Sequence, residues 1–200
     1  MLGWYSRGYL PHYDSAYVPH FVTFRLADSL PASKLDAWRE ELRRLPAAAM
    51  DAALRRRVEE YLDQGHGSAA LQRHDVAEVV QDTLLRFAGE RYALHAWVIM
   101  PTHVHALITL SEGQPMGGAL HSWKSFTASE ANRLLGRRGA FWQREYRDRF
   151  IRDARHYDAV VSYIHMNPVK AHLCALPEEW PFSSARVRAA EEDGAPLLGA

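Results

Sequence analysis

Two periodicities alternate along this chain. Between residues 103 and 110 the period is two: Val104, Ala106, Ile108 and Leu110 share one side, and His103, His105, Leu107 and Thr109 the other. The first side is wholly apolar and predicts a strand facing a core. The run before it, 92–100, is equally apolar and joins it through Pro101-Thr102, so the two read as a β-hairpin that sets Val98 and Met100 beside the histidines. PHFVTFRL at 19–26, with its β-branched and aromatic residues, predicts an earlier strand, and FWQREYRDRFI at 141–151 a later one. Elsewhere the spacing is helical. Leu35, Trp38, Leu42 and Leu45 recur every three or four residues behind Ser33, a candidate N-cap. A second helical piece follows Pro46 and closes at Gly65 and Gly67; a third, 76–87, closes at Gly89. Residues 120–135 carry Leu120, Trp123, Thr127, Ala131 and Leu134 along one side, and 154–166 is helical up to Asn167-Pro168, where proline disfavours the helical conformation in the residue before it.

Strand, helices, hairpin, helix, strand, helix is an α+β order, and a ferredoxin-like antiparallel sheet with helices packed on it fits that order. Residues 1–185 are expected to form one domain, with a helical insertion at 33–88 between the first two strands, and 186–200 a flexible tail. With 48% apolar residues, 200 residues bury one substantial core. The single cysteine, Cys174, rules out an internal disulfide and fits a reducing cytoplasm. No apolar run approaches the roughly 18 residues that span a bilayer, and MLGWYSRGYLPHYD lacks the apolar core of a signal peptide. A cytoplasmic protein with no membrane partner is expected. No GxxxxGK[ST] loop is present, so no nucleotide cofactor is expected either.

Net charge changes the picture only locally. The chain carries 24 basic and 24 acidic residues, which counts against general coating of duplex DNA. Between 133 and 155, however, eight arginines face three acids, with Phe141, Trp142, Tyr146 and Phe150 interleaved. Arginines beside aromatic rings suit a single-stranded or hairpin polyanion; the same segment also reads as core aromatics alternating with solvated arginines.

The candidate chemistry begins with His103 and His105. Two residues apart on one strand face they stand about 7 Å apart, close enough to converge on one cation. No HExxH, CxxC or Asp cluster completes a zinc set, so Mg²⁺ or Mn²⁺ is the better match for two nitrogens plus amide or water oxygens. The competing reading is two incidental core imidazoles. Tyr163 and Asn167 lie i and i+4 on the predicted last helix and share a face. A phenol with an ordinary pKa of about 10 is a poor nucleophile, and a metal-bound phosphate makes it a feasible one; alternatively Tyr163 packs on the core and Asn167 caps the helix. Tyr157 reads as packing, Gly65-His66-Gly67 as a turn, and His165 has no assigned role.

PTHVH after an apolar strand, then FWQREYRDRFIRD, YIHMNPVKAHL and EEWPFSSA, in that order and spacing, resemble the REP-associated tyrosine transposases of the HUH single-tyrosine superfamily. The likeness runs over about 19–185 and is dense over 92–184. It implies a ferredoxin-like fold and a transposase-like single-stranded DNA endonuclease and strand transferase acting on hairpin-forming repetitive palindromes, dependent on Mg²⁺ or Mn²⁺. Tyr163 would be the nucleophile, forming a 5′-phosphotyrosine, and His103, His105 and Asn167 the metal ligands. Lys124, Arg137, Arg138, Trp142, Arg144, Arg147, Arg149 and Lys170 are the expected DNA-binding residues. The partner would be single-stranded or hairpin DNA, the protein nucleoid-associated, and the chain a monomer or homodimer. The rivals are a domesticated repeat-DNA-binding protein without cleavage activity, a water-using hydrolase in which Tyr163 is structural, and a generic RNA-binding domain, for which the RNP-type aromatic signature is missing.

Overall fold

The computed structural model describes residues 4–6, 11–13 and 17–192. A short antiparallel ribbon, β1 (Trp4–Ser6) and β2 (Pro11–Tyr13), precedes the main sheet and was not evident in the sequence pattern. The sheet contains β3 (His20–Arg25), β4 (Tyr92–Ile99), β5 (His103–Leu110) and β6 (Arg147–Phe150) in the order β4-β5-β3-β6, every neighbour antiparallel. The helices are α1 (Ala32–Leu42), α2 (Ala47–Asp63), α3 (His74–Arg86), α4 (Met116–Leu134), α5 (Ala154–Lys170) and α6 (Ser184–Glu192). Two interleaved split β-α-β units, β3-α3-β4 and β5-α4-β6, make this the expected ferredoxin-like α+β fold.

The sheet is covered on both faces, and the alternation in β5 decides what faces what. Val104, Ala106, Ile108 and Leu110 join the main core with Val76, Val80 and Leu84 of α3 and Leu120 and Trp123 of α4. On the reverse face Leu107 packs with Phe21, Val98 and Met100 against Val160 and Ile164 of α5. Burying each such side chain stabilises the fold by about 1.5–3 kcal/mol. Inside the main core the Trp123 indole N–H donates to the Tyr92 hydroxyl at 2.9 Å, which donates to the Leu84 carbonyl at 2.6 Å, tying α4, β4 and α3 together without an orphaned polar group.

The helical excursion between the first two sheet strands therefore has two parts. α3 is the ordinary crossover helix. α1 and α2 form a hairpin with a satellite core of Leu30, Val58 and Leu62, α2 burying only its Leu54–Val58–Leu62 stripe at i, i+4 spacing. The turn after α2 depends on glycine: Gly67 has φ +93°, and a Cβ there would stand 2.7 Å from the Asp28 carbonyl oxygen.

Several boundaries differ from the sequence reading. α1 starts at Ala32 behind Pro31 without a side-chain cap, so Ser33 lies inside the helix; the fixed φ of proline sets the entry instead. α4 begins at Met116, four residues early. The 141–151 segment forms ladder only at 147–150, because Phe141 and Trp142 are both buried and adjacent burial breaks the two-residue period. α5 runs through Pro168: burial of Asn167 and Pro168 outweighs the local preference, and Ala171 N–H to the Asn167 carbonyl carries the ladder past it. The tail is not free from 186. Ser183 bridges to Val98, Ile99 N–H donates to the Phe182 carbonyl, and α6 follows, so 182–192 shields the β4 edge. Residues 193–200 lie outside the described region.

Candidate active site

β5 is a central strand, hydrogen-bonded on both sides, so it presents His103 and His105 rigidly. Their rings face each other at 4.7 Å between centroids, and each histidine is 1% exposed. In each case Nδ1 meets a threonine hydroxyl: Thr102 Oγ1 at 3.0 Å from His103, and Thr23 Oγ1 at 2.8 Å from His105, across the β3–β5 pair. These contacts fix the rings and leave Nε2 of each for something else. Burial pushes the His103 pKa down to about 3 and, together with His103, pushes His105 well below the ordinary value. Burial therefore keeps both rings neutral, the charge state a metal-ligating imidazole requires.

α5 brings Tyr163 to His105 and carries Asn167 one turn further on. The Tyr163 ring stands 5.4 Å from the His105 ring and edge-on to Phe21 at 5.8 Å. Asn167, also 1% exposed, follows one turn later. Burial pushes the phenol pKa up, and the carboxylates of Glu59 and Asp63 push it further; the Asn167 amide and Arg149 oppose them. Glu59 and Asp63 come from the last turns of α2. Asp63 Oδ1 lies 3.8 Å from His103 Nε2, and burial, then the charge of Glu59, raises the Asp63 carboxyl to about 6.

Among the described residues, no group of three or more His, Cys, Asp or Glu side chains is arranged as a metal cluster. The buried atoms nonetheless suit a mixed set. His105 Nε2, Asp63 Oδ1, both side-chain polar atoms of Asn167 and the Tyr163 hydroxyl have no hydrogen-bond partner in the protein. Each such atom costs about 1–3 kcal/mol when buried alone. Their gathering from β5, α2 and α5 fits a bound cation and an oxygen-rich ligand, with two neutral nitrogens and amide or carboxylate oxygens as donors.

Tyr163 lines a cleft of about 570 Å³ between α2, β6 and α5, whose walls also carry Arg55, Arg56, Glu59, Arg147 and Arg149. Arg55 and Arg147 approach Asp51 at 2.9 and 3.9 Å. Arg149 is exposed and forms no ion pair among the described residues. Lys170 places Nζ 5.4 Å from the centre of the Tyr163 ring. Of the basic and aromatic residues singled out in the sequence, Arg147, Arg149 and Lys170 thus surround the phenol. The others lie elsewhere. Lys124 donates to the carbonyls of Gln143 and Arg144 at 2.7 and 2.6 Å, and burial lowers its pKa to about 8. Trp142 is 6% exposed and donates its indole N–H to Thr127, so its ring is a core side chain and not a stacking platform. Arg137 binds the Asn132 side chain beside Phe141, and Arg138 and Arg144 are exposed.

Asp63, Glu59, Arg55, Arg56, Thr23 and Thr102 are not singled out as site residues by the sequence. The acids of α2 recur at helical spacing and look like a solvated face; in the fold Glu59 and Asp63 are half-buried, and Asp63 comes to His103. His165, without a role in the sequence, bonds Ser184 Oγ at 2.9 Å and helps seat α6. Tyr157 packs edge-on to His95, and His66 stacks on Tyr61 in a turn.

Residues 69–167, which hold His103, His105, Tyr163 and Asn167, match the family described as "Transposase IS200 like". The chain is 29% identical over 108 residues to the REP-associated tyrosine transposase of Escherichia coli K12, covering 54% of this chain and 63% of that protein. It is 28% identical over 96 residues to a putative REP-associated tyrosine transposase of Haemophilus influenzae, covering 43% and 54%. The match thus spans a little over half the length of these curated relatives. A solved REP-associated tyrosine transposase bound to a REP hairpin shares the fold, with TM-score 0.59 and 20% identity over 98% of this chain and 92% of that one. Among the described residues, no helix is long and apolar enough to cross a membrane.

Proposed function

Because residues 69–167 match the transposase IS200-like family and the chain is similar to REP-associated tyrosine transposases, we propose that it is a divalent-metal-dependent nuclease and strand transferase acting on single-stranded, hairpin-forming palindromic DNA. The observation that carries this reading is one juxtaposition. The Tyr163 ring, whose buried hydroxyl has no partner, stands 5.4 Å from the His105 ring, whose Nε2 is likewise unpartnered, and lines a cleft walled by guanidinium groups. The relative whose solved structure holds a REP hairpin supplies the class of substrate.

In this reading Tyr163 Oη attacks the scissile phosphorus as the P–O3′ bond breaks. The products are a 5′-phosphotyrosine and a free 3′-hydroxyl, which takes up the proton lost by the phenol. The reverse step joins a strand to a waiting 3′-hydroxyl, and the phosphodiester energy is conserved in the covalent link. His103 Nε2, His105 Nε2 and the Asn167 side-chain oxygen would hold Mg²⁺ or Mn²⁺, which when bound offsets phosphate charge and stabilises the charge that develops during displacement. Thr102 and Thr23 keep the two imidazoles in register. Arg147, Arg149 and Lys170 hold the strand's phosphates beside the phenol, which burial and the nearby carboxylates keep protonated.

Incubating the full chain with single-stranded hairpins from palindromic repeats and Mg²⁺ or Mn²⁺, followed by denaturing electrophoresis, tests the reading. A protein–DNA adduct from the wild type and none from Tyr163→Phe is expected. Binding with no adduct would instead mark a repeat-binding protein without cleavage activity. Free 5′-phosphate ends with no trapped protein would mark a water-using hydrolase.

A further inference from the structure

The threonine beside His103 says which ring nitrogen carries the proton. Thr102 Oγ1 donates to the Leu62 carbonyl at 3.1 Å. A hydroxyl has one hydrogen, so towards His103 Nδ1, 3.0 Å away, it accepts, and Nδ1 bears the N–H. The other nitrogen, Nε2, is then a bare lone pair. What it faces is another acceptor, Asp63 Oδ1, at 3.8 Å.

Two buried acceptors aimed at each other repel unless something positive lies between them. Atoms that share one cation at about 2.1 Å stand between about 3.0 Å apart at a right angle and 4.2 Å apart in line, and 3.8 Å falls inside that window. The unpartnered His105 Nε2 belongs to the next ring, 4.7 Å from that of His103, and the unpartnered, buried Asn167 side chain lies one helical turn after Tyr163, whose ring stands 5.4 Å from His105. Asp63 is also the last residue of α2, where exposed helix carbonyls favour a cation.

We propose that Asp63, brought to the sheet by the α1–α2 hairpin, is a further protein ligand of the divalent cation at His103 and His105. The Thr102–Leu62 hydrogen bond is the strut that holds the end of α2 in place, so one hydroxyl orients both His103 and the backbone next to Asp63. The inference rests on the metal reading given above. It makes the hairpin part of the metal centre and adds a negative charge to a set that otherwise holds only neutral donors.

The test uses the full chain, freed of metal and titrated with Mn²⁺ alone, with binding read by loss of the free-ion electron paramagnetic resonance signal. Asp63→Asn should weaken Mn²⁺ binding by about tenfold or more, and Glu59→Gln, one turn away, by less than about threefold. Equal affinity of D63N and wild type overturns the proposal. So does an equal loss in E59Q, which would mark a diffuse charge effect instead of coordination. If D63N does not fold, the wild type decides: with aspartate carboxyl carbons labelled with ¹³C, bound Mn²⁺ should show the hyperfine coupling of a coordinated carboxylate, and its absence overturns Asp63 as ligand. A wild type whose Mn²⁺ binding is absent, or is unchanged by His103→Ala and His105→Ala, overturns the metal reading itself and this inference with it. Histidine-dependent binding that ignores Asp63 overturns this inference alone.

Discussion

Across the β3–β5 pair the Thr23 hydroxyl lies 2.8 Å from His105 Nδ1, and the two residues are direct partners in the sheet register. Thr23→Val keeps the shape and removes the oxygen that sets the ring. The expected result is a loss of about 1 kcal/mol in stability and about tenfold in Mn²⁺ affinity. Chemical denaturation and metal titration of the same preparation check both.

Tyr163→Phe removes a buried hydroxyl that has no partner. Relief of that desolvation is worth about 1 kcal/mol, so the variant should be at least as stable as the wild type while forming no covalent adduct. A thermal melt beside the denaturing gel separates loss of chemistry from loss of fold.

Arg149 faces the cleft without an ion pair among the described residues. Arg149→Ala should weaken binding of single-stranded DNA at low salt and reduce the log–log salt slope by about 0.7. Fluorescence anisotropy across a salt series reads it; an unchanged slope removes Arg149 from the strand path.

Trp142 behaves oppositely. Trp142→Phe loses the indole bond to Thr127 and should cost about 1 kcal/mol, with DNA affinity unchanged. A fall in affinity at full stability would restore the stacking role that its sequence context suggested.

The buried histidines give the metal-free protein a defined pH response. The His103 pKa falls from 6.5 to about 3 on folding, so between those values the unfolded chain takes up a proton that the native protein refuses. Stability from this group is complete above pH 6.5 and is lost as pH falls, by up to about 1.4 kcal/mol per pH unit. His105 acts in the same direction. Asp63, raised from 3.8 to about 6, acts in the opposite one: its contribution is full below 3.8 and lost as pH rises through 6. With two imidazoles against one carboxyl, the melting temperature should fall from pH 7 to pH 4, and replacing both histidines by glutamine should flatten the profile.

Much of this arrangement was legible in the chain. Strict alternation over 103–110 placed both histidines on one strand face, and the i, i+4 pair placed Tyr163 above Asn167, because both are consequences of local geometry. What escaped was tertiary. Asp63 looked solvated because nothing in EEYLDQ reveals that Thr102 will hold Leu62 against the sheet. Lys124 and Trp142 have the right chemistry for DNA, but whether a donor is free or consumed by a neighbouring carbonyl depends on packing. The helix through Pro168 likewise defeats a local preference by burial.

The strand order has a consequence in time. β3 is made early yet lies between β5 and β6, and Thr23 waits 82 residues for His105. At ribosomal rates of about 5–20 residues per second that delay is roughly 4 to 16 s, during which β3 has neither sheet neighbour. Tyr163 and Asn167 emerge later still, after both neighbours of β3 have been made. A nascent chain therefore holds the proposed cation ligands on β5 well before it holds Tyr163, the proposed nucleophile.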